Sequence, residues 1–115
     1  AELVLRGYCT GDAAGWLNAV HGRSLPGKMV DATLENVKKE RALEFVGEGK
    51  RYWDLVRWEL TNDADGIQAS KVLTGPDELS FRVITWSASK KYIPIPDSEI
   101  SAAAGTAFPL TQNNY

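Results

Sequence analysis

Apolar positions recur at helical spacing through the first half of the chain and lose that spacing after Thr61. Residues 1–8 (Ala-Glu-Leu-Val-Leu-Arg-Gly-Tyr) read as the end of a helix, with Gly7 or Gly11 as its stop. Asp12 can cap a second helix in which Trp16, Leu17 and Val20 form one apolar face, so residues 1–22 read as an αα-hairpin. Gly22, Ser24, Pro26, Gly27 and Asp31 predict a loop over 22–31. Asp31 or Thr33 then caps a third helix near 32–47. Its apolar stripe starts at Leu34 and Val37 and is invaded by Arg41, Glu44 and Glu48. Gly47 and Gly49 weaken that helix, and a fourth follows near 50–59, rich in aromatics.

Beyond Thr61 the signals are those of loops and short extended pieces. Asn62, Asp63, Asp65 and Gly66 predict a loop, and Gly75-Pro76-Asp77 a turn. Phe81–Trp86 and Lys91–Ile93 have β character, with 87–90 joining them as a short hairpin or loop. Ile93-Pro94-Ile95-Pro96 cannot be a central strand, because proline has no N–H to donate. Asp97 or Ser98 can cap a short helical turn, with Glu99 near its N-terminus. Residues 110–115 are expected to lie extended on the surface. The fold class is therefore mainly α, with long irregular loops and at most a short β-hairpin near 81–93.

Composition narrows the function classes. At 115 residues the chain is one domain at most, and 43% apolar with 24% charged residues is a globular balance. A net charge of −2 provides no field for nucleic acid or an anionic membrane. A single cysteine, Cys9, allows neither an internal disulfide nor a cysteine-based zinc site. No apolar run approaches the ~20 residues that span a bilayer. The chain opens at Ala1 inside a running helix, and Met29 is its one methionine, so it is expected to be the C-terminal piece of a longer protein.

The densest chemistry lies between Glu40 and Trp58. With Lys38 and Lys39 just before it, this stretch accounts for six of the thirteen basic residues and two of the four tryptophans. Glu40, Glu44 and Glu48 are spaced i, i+4, i+8 and would share a helix face. A glycosidase built on Glu44 and Glu48 would need two carboxyls at ~5–9.5 Å, one of them protonated. Arg41, Arg51 and Arg57 argue against that proton, because a nearby cation favours the ionised carboxylate. The reading preferred is a structural network in which Glu40, Arg41, Glu44, Glu48, Arg51, Asp54 and Arg57 tie two helices together.

Other candidates are weaker. Gly47-Glu48-Gly49-Lys50 lacks the first glycine and the final Ser/Thr of a phosphate loop, where Glu44 and Arg51 stand instead. His21 is alone, which disfavours a metal site or a Ser–His pair and suggests a solvent-facing or capping role. Lys50-Arg51-Tyr52-Trp53 and Arg57-Trp58 interleave cations with aromatics, as base- or sugar-stacking surfaces do, but Glu48, Asp54 and Glu59 favour core aromatics flanked by cations. Trp16 and Trp86 lie outside the charged network, and either would be a sugar platform only if exposed. No cofactor is implied, and no catalytic residue stands out.

Three motifs carry a family resemblance. Glu40-Arg41-Ala42-Leu43-Glu44-Phe45 followed by Gly47-Glu48-Gly49-Lys50-Arg51-Tyr52-Trp53-Asp54-Leu55-Val56-Arg57-Trp58 resembles the "ERxxEL…EGxRxxDLxRW" stretch of the SusD/RagB family. Tyr92-Ile93-Pro94-Ile95-Pro96-Asp97-Ser98-Glu99-Ile100 is similar to that family's "YxxPIPxxEI", and Leu110-Thr111-Gln112-Asn113-Asn114-Tyr115 to its "LxQNPGY" ending. Lys50, where the family often has His, and Asn114, in place of Pro-Gly, depart from the pattern. The resemblance implies a TPR-like helical scaffold and non-catalytic capture of glycan or another nutrient at the bacterial outer-membrane surface. It also implies a SusC-like TonB-dependent transporter as partner and a lipid anchor outside this segment. It assigns no ligand-binding residue here. A glycoside hydrolase fragment using Glu44 and Glu48, or a helical-repeat interaction module, are the alternatives.

Overall fold

Asp12 and Thr33 set the two longest helices. In this computed structural model, which describes residues 1–76, 83–84 and 86–113, the Asp12 carboxylate accepts from the Gly15 N–H at 2.8 Å and opens α2, Ala13–Ser24. The Thr33 hydroxyl accepts from the Asn36 N–H at 3.1 Å and opens α3, Leu34–Glu44. Each cap satisfies an N–H that the first helical turn cannot, and is worth about 1 kcal/mol. Before them lies α1, Glu2–Leu5, one turn ended by bonds from the Gly7 N–H to Val4 and from the Tyr8 N–H to Leu3. After them come α4, Arg51–Glu59, and α5, Ala69–Val72.

α3 stops at Glu44, three residues short of the expected end. Phe45 caps it, and Gly47 (φ +80°) and Gly49 (φ +68°) turn the chain sharply into α4. Both glycines sit in the left-handed region that other residues enter at a cost, so the Gly-x-Gly pair makes the corner. The loop before α3 runs from Leu25 to Thr33, because α2 continues to Ser24. The Asn18 side chain holds that loop by accepting from the Val30 N–H (2.8 Å) and donating to the Val30 carbonyl (3.0 Å).

Contacts divide the chain into two compact units, Ala1–Val72 and Leu73–Tyr115. The first contains the buried core: Ala13 and Leu17 of α2, Val37 of α3, Leu55 and Trp58 of α4, and Ala69 of α5. In the second, none of residues 73–74 and 86–113 is fully buried. There β1, Gly75–Pro76, pairs antiparallel with β2, Val83–Ile84, in the register Gly75↔Ile84. Of the short hairpin or loop allowed between 81–86 and 91–93, it is the loop that forms. The partner of 83–84 lies upstream, and Ala88–Lys91 form a 3₁₀ turn. Phe81, Arg82 and Thr85 of that expected strand lie outside the described residues. α6, Asp97–Ala103, begins after Pro96 with no side-chain cap, so neither Asp97 nor Ser98 plays the expected role, although Glu99 does sit in the first turn.

The proline-rich segment has its own solution to the missing donors. Gln112 accepts from the Ile95 N–H and donates to the Ile95 carbonyl, both at 2.9 Å, while Asn113 donates to the Ile93 carbonyl at 2.9 Å. The carboxamides thus supply the two-bond pairing that a neighbouring strand would supply, and the third motif fastens the second. The architecture is mainly α, as expected.

Candidate functional site

The corner between α3 and α4 gathers the charged stretch. Arg41 on α3 forms a two-bond fork with Asp54 on α4, Nε to Oδ2 and Nη2 to Oδ1, both at 3.0 Å. Arg57, one turn along α4, reaches Asp54 Oδ1 at 3.1 Å and turns its other donors to Glu2 at 2.7 and 2.9 Å. Glu2 also accepts from the Trp58 indole N–H at 2.9 Å and from Arg6 Nε at 3.1 Å. One carboxylate on α1 therefore ties together three partners, two on α4 and one in the turn after α1. Burial alone would raise the Glu2 pKa, but hydrogen bonds from Arg57, Trp58 and Arg6 outweigh it and lower the group to about 2.

A second cluster lies on the buried side of α3. Lys38 is 0% exposed, and its ammonium donates to Asp63 Oδ2 at 2.7 Å and Asp65 Oδ1 at 3.0 Å while lying 5.2 Å from the Trp58 ring centroid. Asp63 also accepts from Arg6 at 2.7 Å and from the Thr61 hydroxyl at 3.0 Å. The Arg6 bonds, reinforced by Lys38, hold the Asp63 carboxyl well below the usual carboxylate range despite partial desolvation. The polar segment 61–66 is thus not a free loop. It delivers two carboxylates to a buried lysine, and Asp65 in addition accepts from the Ile67 N–H at 2.8 Å. The sequence offers only the Asp63-x-Asp65 pair of carboxylates as a signal, with nothing local to name Lys38 as their partner.

Several expected members do not join. Because α3 ends at Glu44, Glu48 lies in the turn beyond the helix, so Glu40, Glu44 and Glu48 do not share one face. Glu48 pairs with Lys50 at 2.8 Å, Glu44 with Arg23, and Glu40 with His21 at 2.8 Å. Each glutamate thus has a partner of opposite sign or a hydrogen-bonding imidazole, and the Glu44/Glu48 hydrolase pair has no geometric basis. His21 corrects a second expectation. Its imidazole is largely buried and links α2 to α3 through Glu40, rather than facing solvent. Gly47-Glu48-Gly49-Lys50 is the corner itself, with the Lys50 ammonium 4.1 Å from the Phe45 ring centroid.

Arg51 is the third correction. No described carboxylate pairs with it; its guanidinium stands 6.0 Å from the Trp58 centroid, and Nη1 is buried without a hydrogen-bond partner. Asp54, in contrast, is buried beneath two arginines. Replacing Asp54 with alanine is therefore expected to cost ~3 kcal/mol, since it strands Arg41 and part of Arg57, whereas Arg51→Ala should cost under ~1 kcal/mol. Urea unfolding of both variants checks the ordering, and an Arg51→Ala loss equal to that of Asp54→Ala contradicts it.

The aromatics divide by depth. Trp58 is fully buried, whereas Tyr52 and Trp53 lie on the exposed side of α4 in an edge-to-face pair 5.2 Å apart. Trp16 is 52% exposed and stands over Gly11, where any Cβ would collide with its ring. Trp86 is half-buried, and its N–H donates to the Thr74 hydroxyl at 3.3 Å. Trp16 borders a groove of about 530 Å³ in the first unit, with Leu3 and Val4 of α1, Leu17 and Val20 of α2, and Phe45 after α3. Among the described residues no group of three His, Cys, Asp or Glu is placed to hold a metal ion. No described helix is long and apolar enough to cross a membrane.

These features define a helical scaffold protein whose signature residues serve packing. Comparison gives the family: the SusD family profile matches residues 7–115, and the chain belongs to that family. Among solved structures it is similar to the surface glycan-binding protein A from Bacteroides thetaiotaomicron, at 50% identity and a TM-score of 0.81, covering 99% of this chain and 22% of that one. The same values hold for that protein in complex with laminarihexaose. The surface glycan-binding protein A from Bacteroides uniformis matches at 44% identity and a TM-score of 0.79, covering 99% of this chain and 24% of that one. The chain thus spans less than a quarter of the length of these relatives. No curated protein matches it.

Proposed function

We propose that residues 1–115 are the C-terminal portion of a longer SusD/RagB-like domain, and that the protein carrying them captures a glycan without cleaving it. Capture takes place at the outer-membrane surface, on a lipid anchor outside this segment, and the glycan passes to a SusC-like TonB-dependent transporter. The observation that carries this reading is the laminarihexaose complex of a surface glycan-binding protein 50% identical over 99% of this chain. It is supported by the paired state of Glu40, Glu44 and Glu48. The corner residues contribute by holding the scaffold rigid.

The test uses the full-length protein. Calorimetric titration with laminarihexaose is expected to show binding, with no new reducing ends after prolonged incubation. Failure to bind laminarihexaose or any member of a glycan array would sink the capture reading. Release of reducing ends that disappears in Glu44→Gln would sink the non-catalytic one. Co-purification of a TonB-dependent transporter from the native membrane tests the delivery step.

A further inference from the structure

The signature charges Arg41, Asp54 and Arg57 are one side of a larger circuit. Followed outward from α3, Arg41 pairs with Asp54 at 3.0 Å, Asp54 with Arg57 at 3.1 Å, and Arg57 with Glu2 at 2.7 Å. Glu2 pairs in turn with Arg6 at 3.1 Å, Arg6 with Asp63 at 2.7 Å, and Asp63 with Lys38 at 2.7 Å. Lys38 stands three residues before Arg41 on α3, so the path returns to the helix it left. The sign of the charge alternates at every pairing. Trp58 meets the circuit at three points. Its indole N–H donates to Glu2, and the Lys38 and Arg57 cations each lie 5.2 Å from its ring centroid.

We propose that this circuit works as one conformational unit, in which the loop 61–67 and helix α4 respond to one another through the Glu2–Arg6 link. Asp54 and Asp63 share no partner among the described residues, so they have no direct bond through which to communicate. Each carboxylate on the path accepts from two cations, and Arg6 and Arg57 each reach two carboxylates. Loosening one pairing therefore leaves a neighbour half-paired, and the cost passes along the path. Glu2, Arg6, Asp54 and Asp63 are largely buried, and Lys38 wholly so, which keeps water from replacing a lost partner. α1 buries no residue, so the link across it is made by two charged side chains rather than by packing. The signature motif supplies half of the unit, and Glu2, Arg6, Lys38 and Asp63 complete it from outside the motif.

Amide hydrogen exchange of the full-length protein, resolved by peptide mass spectrometry, tests the coupling. Asp63→Asn is expected to speed exchange in α4 at least about fivefold as well as in 61–67, and Asp54→Asn to speed exchange in 61–67 as well as in α4. Exchange in α2 should stay as it is, because the ties of that helix to α3 run through His21 and Arg23, outside the circuit. Arg6→Lys is the gentler variant: it keeps every charge but loses the planar fork that reaches both Glu2 and Asp63. By itself it should speed exchange in both segments. Acceleration confined to the segment that carries the substitution, or for Arg6→Lys confined to 61–67, overturns the proposal. Equal acceleration in α2 marks a general loss of stability and overturns it too.

Discussion

Lys38→Met is expected to lower unfolding free energy by about 3–5 kcal/mol, the cost of leaving buried carboxylates without their partner. The lysine is fully buried, and its three donors meet Asp63 and Asp65 with the Trp58 face alongside. Methionine fills a similar volume, so packing is largely kept and the loss reports the charge. Asp63 retains Arg6 after the change, but Asp65, also nearly buried, pairs with no other cation among the described residues. Adding Asp65→Asn to Lys38→Met should therefore recover part of the loss, a coupling that additive, independent sites would not show. Urea titration of the four proteins measures it. A Lys38→Met loss under ~1 kcal/mol would show that the cluster holds nothing together.

This cluster also marks where sequence reading stops. Helix starts were legible because caps act over three residues: Asp12 on Gly15, Thr33 on Asn36. Family membership was legible because its motifs are contiguous. The partners of the charges were not. Arg6 meets Asp63 across 57 residues, Arg57 meets Glu2 across 55, and Lys38 meets Asp63 across 25. Local spacing says only that charges share a face, and it assigned Arg51 and Glu48 to a network that the fold builds from Glu2, Arg6, Lys38 and Asp63 instead. The early end of α3 decided the case of Glu48, and two glycines in the left-handed region caused that end. The same limit applies to the candidate site. Trp16 was named as a sugar platform if exposed, and it is exposed, yet the groove it borders could be seen only once α1, α2 and α3 were placed.

The signature arginines acquire a physical role from this arrangement. Arg41 and Arg57 converge on Asp54, which fixes α3 against α4, and Arg57 carries the link on to α1. Pairs of this kind specify one arrangement of helices more than they add net stability, since desolvation offsets much of the attraction. A preformed scaffold would suit the non-catalytic capture proposed above, where affinity depends on presenting a preformed surface.

Glu2→Gln tests the far end of that chain of contacts, and its effect should depend on pH. The carboxyl ionises at about 2 in the folded protein against 4.5 for the ordinary group. A lowered folded-state pKa means that the unfolded chain binds the proton first. The stabilisation is therefore complete above about pH 4.5 and is lost as pH falls towards 2. At about 1.4 kcal/mol per unit this amounts to ~3 kcal/mol near neutrality. Glutamine keeps the shape and can still accept from Trp58, so the variant should be less stable by roughly that amount near pH 7. The gap to the wild type should close progressively on acidification. A gap that stays constant down to about pH 3 would mean that packing, not ionisation, supplies the energy. Arg6 Nε and the Trp58 indole share one Glu2 oxygen, which the carboxamide keeps, so the variant leaves the Nε bond but removes the charge, and Asp63 becomes the carboxylate that balances Arg6. Pairing Glu2→Gln with Asp63→Asn should then cost more than the sum of the single changes, because the second removes the partner on which the first leaves Arg6 to rely.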